Sequence, residues 1–220
     1  SLFRLALISA AVRCSWAFKD GAVLKVRKHG NIPLRRMLAR VMTQMIYDLR
    51  TFETKRCTIE VKQGDARQLD LPDASIDAII TSPPYLNNID YTKVYSIENW
   101  FVGVAEPPLR SFIGIESEVE DILGLSLPSS ANAYFNDMQL ALREISRVCA
   151  PGAKAAVVVA NAYFADKDLI VDSDLILSAL AEQEGFRVSD IFVLNKRHAL
   201  EKRTIKKGTL RESIIVMGKS

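Results

Sequence analysis

Between residues 153 and 160 the chain reads Ala-Lys-Ala-Ala-Val-Val-Val-Ala, a stretch of small apolar residues with a single lysine. A short run this apolar, bounded by Pro151-Gly152, is the signature of a strand covered on both faces, as in a parallel sheet. Its flanks agree. Residues 130–149 put Phe135, Met138, Leu142, Ile145 and Val148 on one helical stripe, and residues 169–184 form another helical stretch that Gly185 closes as a C-terminal cap. The same periodicities predict strands at 57–63, 76–80, 186–194 and 212–217, and helices at 2–18, 34–49 and 92–102. Pro33 suits the first turn of the second helix. Leu2, Leu5, Ile8, Val12 and Trp16 share a stripe on the first helix, and Leu38, Val41, Met45 and Leu49 share one on the second. Trp16 and Trp100 are expected in the core, and residues 106–128 read as irregular. Alternating helices and strands predict an α/β fold, a mostly parallel sheet with helices on both faces.

The 220 residues are 49% hydrophobic and 25% charged, a globular balance that excludes a mainly disordered chain and suits one domain. No apolar run reaches the roughly 18 residues that cross a bilayer. Arg4 and Arg13 interrupt the apolar N-terminal stretch, which argues against a signal peptide and for a cytoplasmic protein. Cys14, Cys57 and Cys149 are scattered and odd in number, so buried free thiols in a reducing compartment are expected, with neither a disulfide framework nor a metal centre.

The formal net charge of +3 hides a segregation. Residues 1–50 carry 10 basic and 2 acidic side chains, residues 51–195 carry 11 and 22, and residues 196–220 carry 8 and 2. The densest basic stretch, from Lys196 to Arg211, is predicted as a loop between two strands that water or phosphates would accept, with Lys202 and Arg203 as candidate substrate contacts.

Ligands of such sheets sit at the carboxyl ends of strands, so the loops there carry the chemistry. Two stand out: Gly64-Asp65-Ala66-Arg67 and Thr81-Ser82-Pro83-Pro84-Tyr85. Prolines end a strand ladder whatever their function. Two in succession also stiffen the backbone and leave carbonyls with no competing N–H, while Ser82 adds a hydroxyl and Tyr85 a flat ring. That set suits a planar, amine-bearing ring.

The segment from Asp77 to Tyr85 resembles the catalytic motif of S-adenosylmethionine-dependent amino-methyltransferases, and its Ser-Pro-Pro-Tyr form is closest to the DNA cytosine-N4 enzymes. Gly64-Asp65-Ala66 resembles that family's motif after its third strand, Ala150-Pro151-Gly152 the turn before its fifth, and the segment from Arg211 to Val216 its last strand. The resemblance runs in order over about residues 55–218. It implies a Rossmann-like class I methyltransferase sheet, with residues 1–54 as a helical segment packed on it and residues 55–220 as the catalytic core of a single domain. It implies S-adenosylmethionine as cofactor, with Asp65, Ala66 and Thr81 near it. Ser82, Pro83, Pro84 and Tyr85 would then be catalytic, and Asn161 would lie near the target. Tyr91, just past the motif, is a candidate for lining the base pocket, the alternative being that it only packs the following helix. Accepting both hydrogens of a base amine, at the Ser82 hydroxyl and the Pro83 carbonyl, would let its nitrogen attack the sulfonium methyl, with Tyr85 stacked on the extruded base. None of the three cysteines follows a proline, which disfavours carbon methylation.

The family's glycine-rich loop after its first strand is not found. By the resemblance, residues 1–54 follow the second strand, so strands one and two are missing from the family order 3-2-1-4-5-7-6. A hole there would bury two unpaired edges. Either a missing N-terminal segment or a second chain supplies the loop, or strands 57–63 and 76–80 pair directly in a rearranged sheet. The expected activity is methylation of cytosine N4, or adenine N6, in DNA. The alternatives are an RNA or tRNA amino-methyltransferase, and a catalytically incomplete subunit that binds nucleic acid or a partner.

Overall fold

The computed structural model describes residues 2–20, 23–52, 57–86, 94–103, 121–201 and 205–220. The chain forms two compact units, Ser1–Val61 with Ile89–Ser111, and Lys62–Asn88 with Phe112–Ser220.

The first unit is built on two helices, α1 (Leu2–Cys14) and α2 (Leu34–Thr51). Pro33 sits one position earlier than expected, as the N-cap of α2 with an extended backbone. The buried residues of α1 are Ala6 and Ala10, which join Val41 of α2 in a small core, with Met37, Leu38, Met42 and Met45 packed around it. The leucine stripe predicted for α1 is therefore not its inner face: Leu2 and Leu5 are exposed, and Leu49 of α2 is exposed too. Small side chains allow the closer approach of two helix backbones, and that selects the alanines. Strands β1 (Ala17–Asp20) and β2 (Val23–Val26) form an antiparallel hairpin where the sequence predicted helix and connector. A short helix, α3 (Ser96–Val102), completes the unit, and Arg4 donates to the Phe101 carbonyl at 2.9 Å. Trp16 and Trp100 are surface residues, Trp100 being 74% exposed.

The second unit holds a four-stranded sheet in the order β3-β4-β8-β7, made of β3 (Ile76–Thr81), β4 (Cys149–Ala160), β7 (Phe186–Glu201) and β8 (Ile205–Lys219). β3 and β4 are parallel, whereas β8 runs antiparallel to both its neighbours. Relative to the order implied by the resemblance, this is its 4-5-7-6 half. Helix α4 (Ser129–Val148) precedes β4, and α5 (Ser173–Gln183) follows the small hairpin of β5 (Ala162–Phe164) and β6 (Leu169–Val171). Leu169 to Val171, expected in a helix, pair as a strand instead.

Burial alternates along β4 and β8. Ala155, Val157, Val159, Ile215 and Met217 are buried with Phe135 and Leu142 of α4 and Leu177 and Leu180 of α5. Register places Ile80, Ala156 and Val216 in one row of the other face, and Val158, Ile214 and Phe192 in the next. Ile80 is 86% exposed, and no helix of the described residues of this unit covers that row. The second helical layer expected on that face is absent among the described residues of this unit.

Three further expectations change. Residues 57–63 alternate like a strand, yet they form none, and Ile59 and Val61 are exposed. A strand needs a neighbour to pair with, and among the described residues β3 pairs only with β4, so the rearranged sheet with direct pairing is not formed. The stretch after Leu194 is not a loop: β7 and β8 continue as a long antiparallel hairpin to Glu201 and Ile205. Of the thiols, only Cys149 is buried, where burial pushes it up from its usual range; Cys14 is half-buried and Cys57 exposed. Among the described residues no helix is long and apolar enough to cross a membrane, and no group of His, Cys, Asp and Glu could hold a metal ion.

Candidate active site

The approach to β3 is fixed from α4. The Ala74 and Ser75 amides donate to the Arg147 and Val148 carbonyls at 3.0 and 2.8 Å, using acceptors that the helix end leaves over. Arg147 in turn donates to the carbonyls of Leu69 (3.0 Å) and Leu71 (2.9 Å), and to Asp73 and Glu144. Glu144 also accepts the Leu69 amide at 2.9 Å. The Arg147 guanidinium and that amide hold the Glu144 carboxyl down at about 2.

β3 ends at Thr81, paired with Val157, and the diproline corner follows. The Tyr134 hydroxyl, on α4, donates to the Pro84 carbonyl at 3.0 Å, and Leu86 is buried in the main core. With both sides pinned, Ser82 stays exposed, and Pro83, Pro84 and Tyr85 are half-buried. The Tyr85 hydroxyl donates to Glu212 Oε1 at 2.7 Å, and the Ser82 hydroxyl donates to the Tyr85 oxygen at 3.5 Å. Glu212 reaches the corner because β8 is antiparallel to β4 and pairs Glu212 with Ala160, the last residue of β4.

Arg211 and Ser213 flank Glu212 and hold a buried carboxylate. Arg211 Nε donates to Asp174 Oδ2 at 2.7 Å and a terminal nitrogen to Oδ1 at 3.0 Å, while Ser213 donates to Oδ2 at 2.8 Å. Burial drives the Asp174 carboxyl up, but the Arg211 and Ser213 bonds outweigh it, and the group lies below its usual range. Asn161, at the end of β4, is only 2% exposed. Its amide nitrogen donates to Asp172 at 2.6 Å, and its Oδ1 is buried without a hydrogen-bond partner among the described residues.

Asp65 lies in a tight turn with a bridge to Gln68, and both its oxygens accept from Arg67. Those bonds lower its carboxyl below the usual range. Arg67 is held in turn by Asp137 of α4 at 2.9 Å. Ala66 shares the exposed turn. Tyr91, Lys202 and Arg203 lie outside the described residues.

The structure thus joins Ser82, Pro84 and Tyr85 with two groups that the sequence reading missed, Tyr134 and Glu212. Glu212 had a signal: Arg211-Glu212-Ser213 is a polar trio directly before the apolar run from Ile214 to Met217. Tyr134 had none, being a tyrosine one place off the predicted stripe of α4.

The chain is 26% identical to the Type II methyltransferase M.BsoBI of Geobacillus stearothermophilus over 200 residues, which takes in 67% of this chain and 39% of that protein. It is 29% identical to M.AvaI, a Type II methyltransferase of Nostoc, over 157 residues, 54% of this chain and 32% of that one. This chain is similar in sequence to Type II methyltransferases. It spans well under half the length of these curated relatives, and no family model matches it. Among solved structures, a candidate DNA modification methylase of Thermus thermophilus matches with 19% identity and a TM-score of 0.41, over 71% of this chain and 52% of that one. Its complex with S-adenosyl-L-methionine matches with 16% identity and a TM-score of 0.42, over 71% and 51%.

Proposed function

We propose that this chain carries the acceptor side of an S-adenosylmethionine-dependent amino-methyltransferase acting on DNA, with cytosine N4 as first target and adenine N6 as second. The supporting observation is the corner after β3: an exposed Ser82 beside Tyr85, on a diproline backbone held by Tyr134. Ser82 Oγ would accept one amine hydrogen and the Pro83 carbonyl the other. The amine lone pair is thereby withdrawn from the ring and made available for attack. The Tyr85 ring would stack on an extruded base. Asn161 and Tyr91 would lie near the base, and Lys202 and Arg203, in the basic stretch from Lys196 to Arg211, would meet phosphates, as they would in RNA, the alternative polymer.

The cofactor would supply an electrophilic methyl group on sulfur. The residues here fit only part of its cradle. Asp65, Ala66 and Thr81 occupy the positions the resemblance assigns to it, but the Asp65 carboxylate is engaged by Arg67, and the glycine-rich loop is not found in the sequence. The free outer edge of β3 among the described residues favours the reading that strands bearing this loop dock there, from a further segment or a second chain. An incomplete subunit without catalysis is the competing outcome. Transfer of tritiated methyl to duplex DNA decides, measured with the chain alone and with the polypeptide encoded next to it. Transfer that Ser82→Ala and Tyr85→Ala abolish supports the proposal; no transfer under any complementation refutes it.

A further inference from the structure

The Tyr85–Glu212 bond has a direction, and that direction reaches Ser82. A carboxylate only accepts hydrogen bonds, so at 2.7 Å Tyr85 must donate its one hydroxyl proton to Glu212. The Tyr85 oxygen keeps its lone pairs and faces Ser82 at 3.5 Å as an acceptor. Ser82 also has one proton, and the neighbouring acceptor draws it toward Tyr85. What remains at the exposed side of Ser82 Oγ is lone pairs. We propose that Glu212 is a positioning residue that sets the polarity of the chain Ser82→Tyr85→Glu212, so that Ser82 presents an acceptor, not a donor, to an incoming amine.

Glu212 is suited to this by its place. Pairing with Ala160 on one side and Asn195 on the other, it sits in the last strand between two neighbours, so its backbone is fixed by the sheet rather than by a loop. Its neighbours Arg211 and Ser213 are committed to Asp174, which leaves Glu212 as the carboxylate of this polar trio that reaches the corner. An amine that meets a hydroxyl donor cannot give up its hydrogens there, so a reversed chain would disfavour the amine geometry that the proposed chemistry needs.

This inference rests on the amine-binding reading of Ser82, and its test separates the two. In the full chain with 13C-labelled tyrosine, the Tyr85 Cζ resonance is assigned by its loss in Tyr85→Phe. Glu212→Ala, and Glu212→Gln as the milder change, are expected to move that resonance, because the phenol loses its anionic acceptor. In the methyl-transfer assay Glu212→Ala is expected to lower kcat by about tenfold, the usual worth of one charge-assisted hydrogen bond, with KM for DNA little changed. Tyr85→Phe should lose a similar factor, and the double variant should lose no more than either single one. Glu212→Gln, which keeps an acceptor oxygen, should recover part of the rate. An unmoved Cζ resonance, or losses that multiply in the double variant, overturns the inference. If the wild-type chain transfers no methyl under any complementation, the amine-binding reading fails, and the Cζ resonance alone then decides whether Glu212 orients Tyr85.

Discussion

Arg211→Met tests how much of the sheet's stability depends on one buried ion pair. Asp174 is 1% exposed at its side chain, and Arg211 meets it with two hydrogen bonds, at 2.7 and 3.0 Å. Methionine keeps the aliphatic stem and removes the guanidinium, leaving the carboxylate with Ser213 and the Leu175 amide. Removing one partner of such a pair destabilises by about 3 kcal/mol. With a urea dependence of about 2 kcal/mol per molar, the unfolding midpoint should fall by about 1.5 M. Both tryptophans lie in the other unit, so the transition is followed by far-UV circular dichroism and by amide exchange at Val157 and Ile215. The pH dependence gives an independent sign. In the wild type Asp174 lies below its ordinary 3.8, so its contribution is present above that pH and is lost as pH falls through the lower, native value. In the variant, burial without the guanidinium raises the carboxyl, so acid should narrow the gap between variant and wild type. Replacing both residues, as Arg211→Met with Asp174→Leu, should restore much of the loss. A midpoint within about 0.3 M of wild type, or a gap that widens in acid, would refute the reasoning.

Tyr134→Phe removes the donor that holds the Pro84 carbonyl and should cost about 1 kcal/mol in urea unfolding while lowering methyl transfer; unchanged transfer would show that the corner needs no such grip. The Leu69 amide resonance should titrate with a midpoint of about 2, the Glu144 value, the bond being intact above pH 4.5 and lost as pH falls through 2; Glu144→Gln should abolish the step. Ile80→Lys, at an exposed position of the edge strand, should leave the chain's own stability within about 0.5 kcal/mol yet prevent reconstitution with a complementing polypeptide; full reconstitution would move the docking site off β3.

The legible parts of the fold were those whose pattern is local. Phe135, Met138 and Leu142 recur at helical spacing, and the small apolar run at 153–160 announces a central strand, so α4 and β4 could be read directly. Residues 57–63 have the same local alternation and form no strand, because pairing depends on neighbours that no local pattern records. The hairpin beyond Leu194 was hidden for the opposite reason: its lysines and arginines look like a loop, while cross-strand register keeps it extended. At the site, the diproline corner stood out by composition. Its contacts did not, since Tyr134 and Glu212 lie 50 and 127 residues away in sequence.

The sheet order also governs when the site can come into being. The last strand of this sheet to be made, β8, is inserted between β4 and β7, which are not bonded to each other. On the ribosome, therefore, the nascent chain carries two unmatched edges until that strand emerges, and Tyr85 waits for a Glu212 that is added 127 residues later. A chain that stopped short of β8 would leave the corner after β3 written but never assembled.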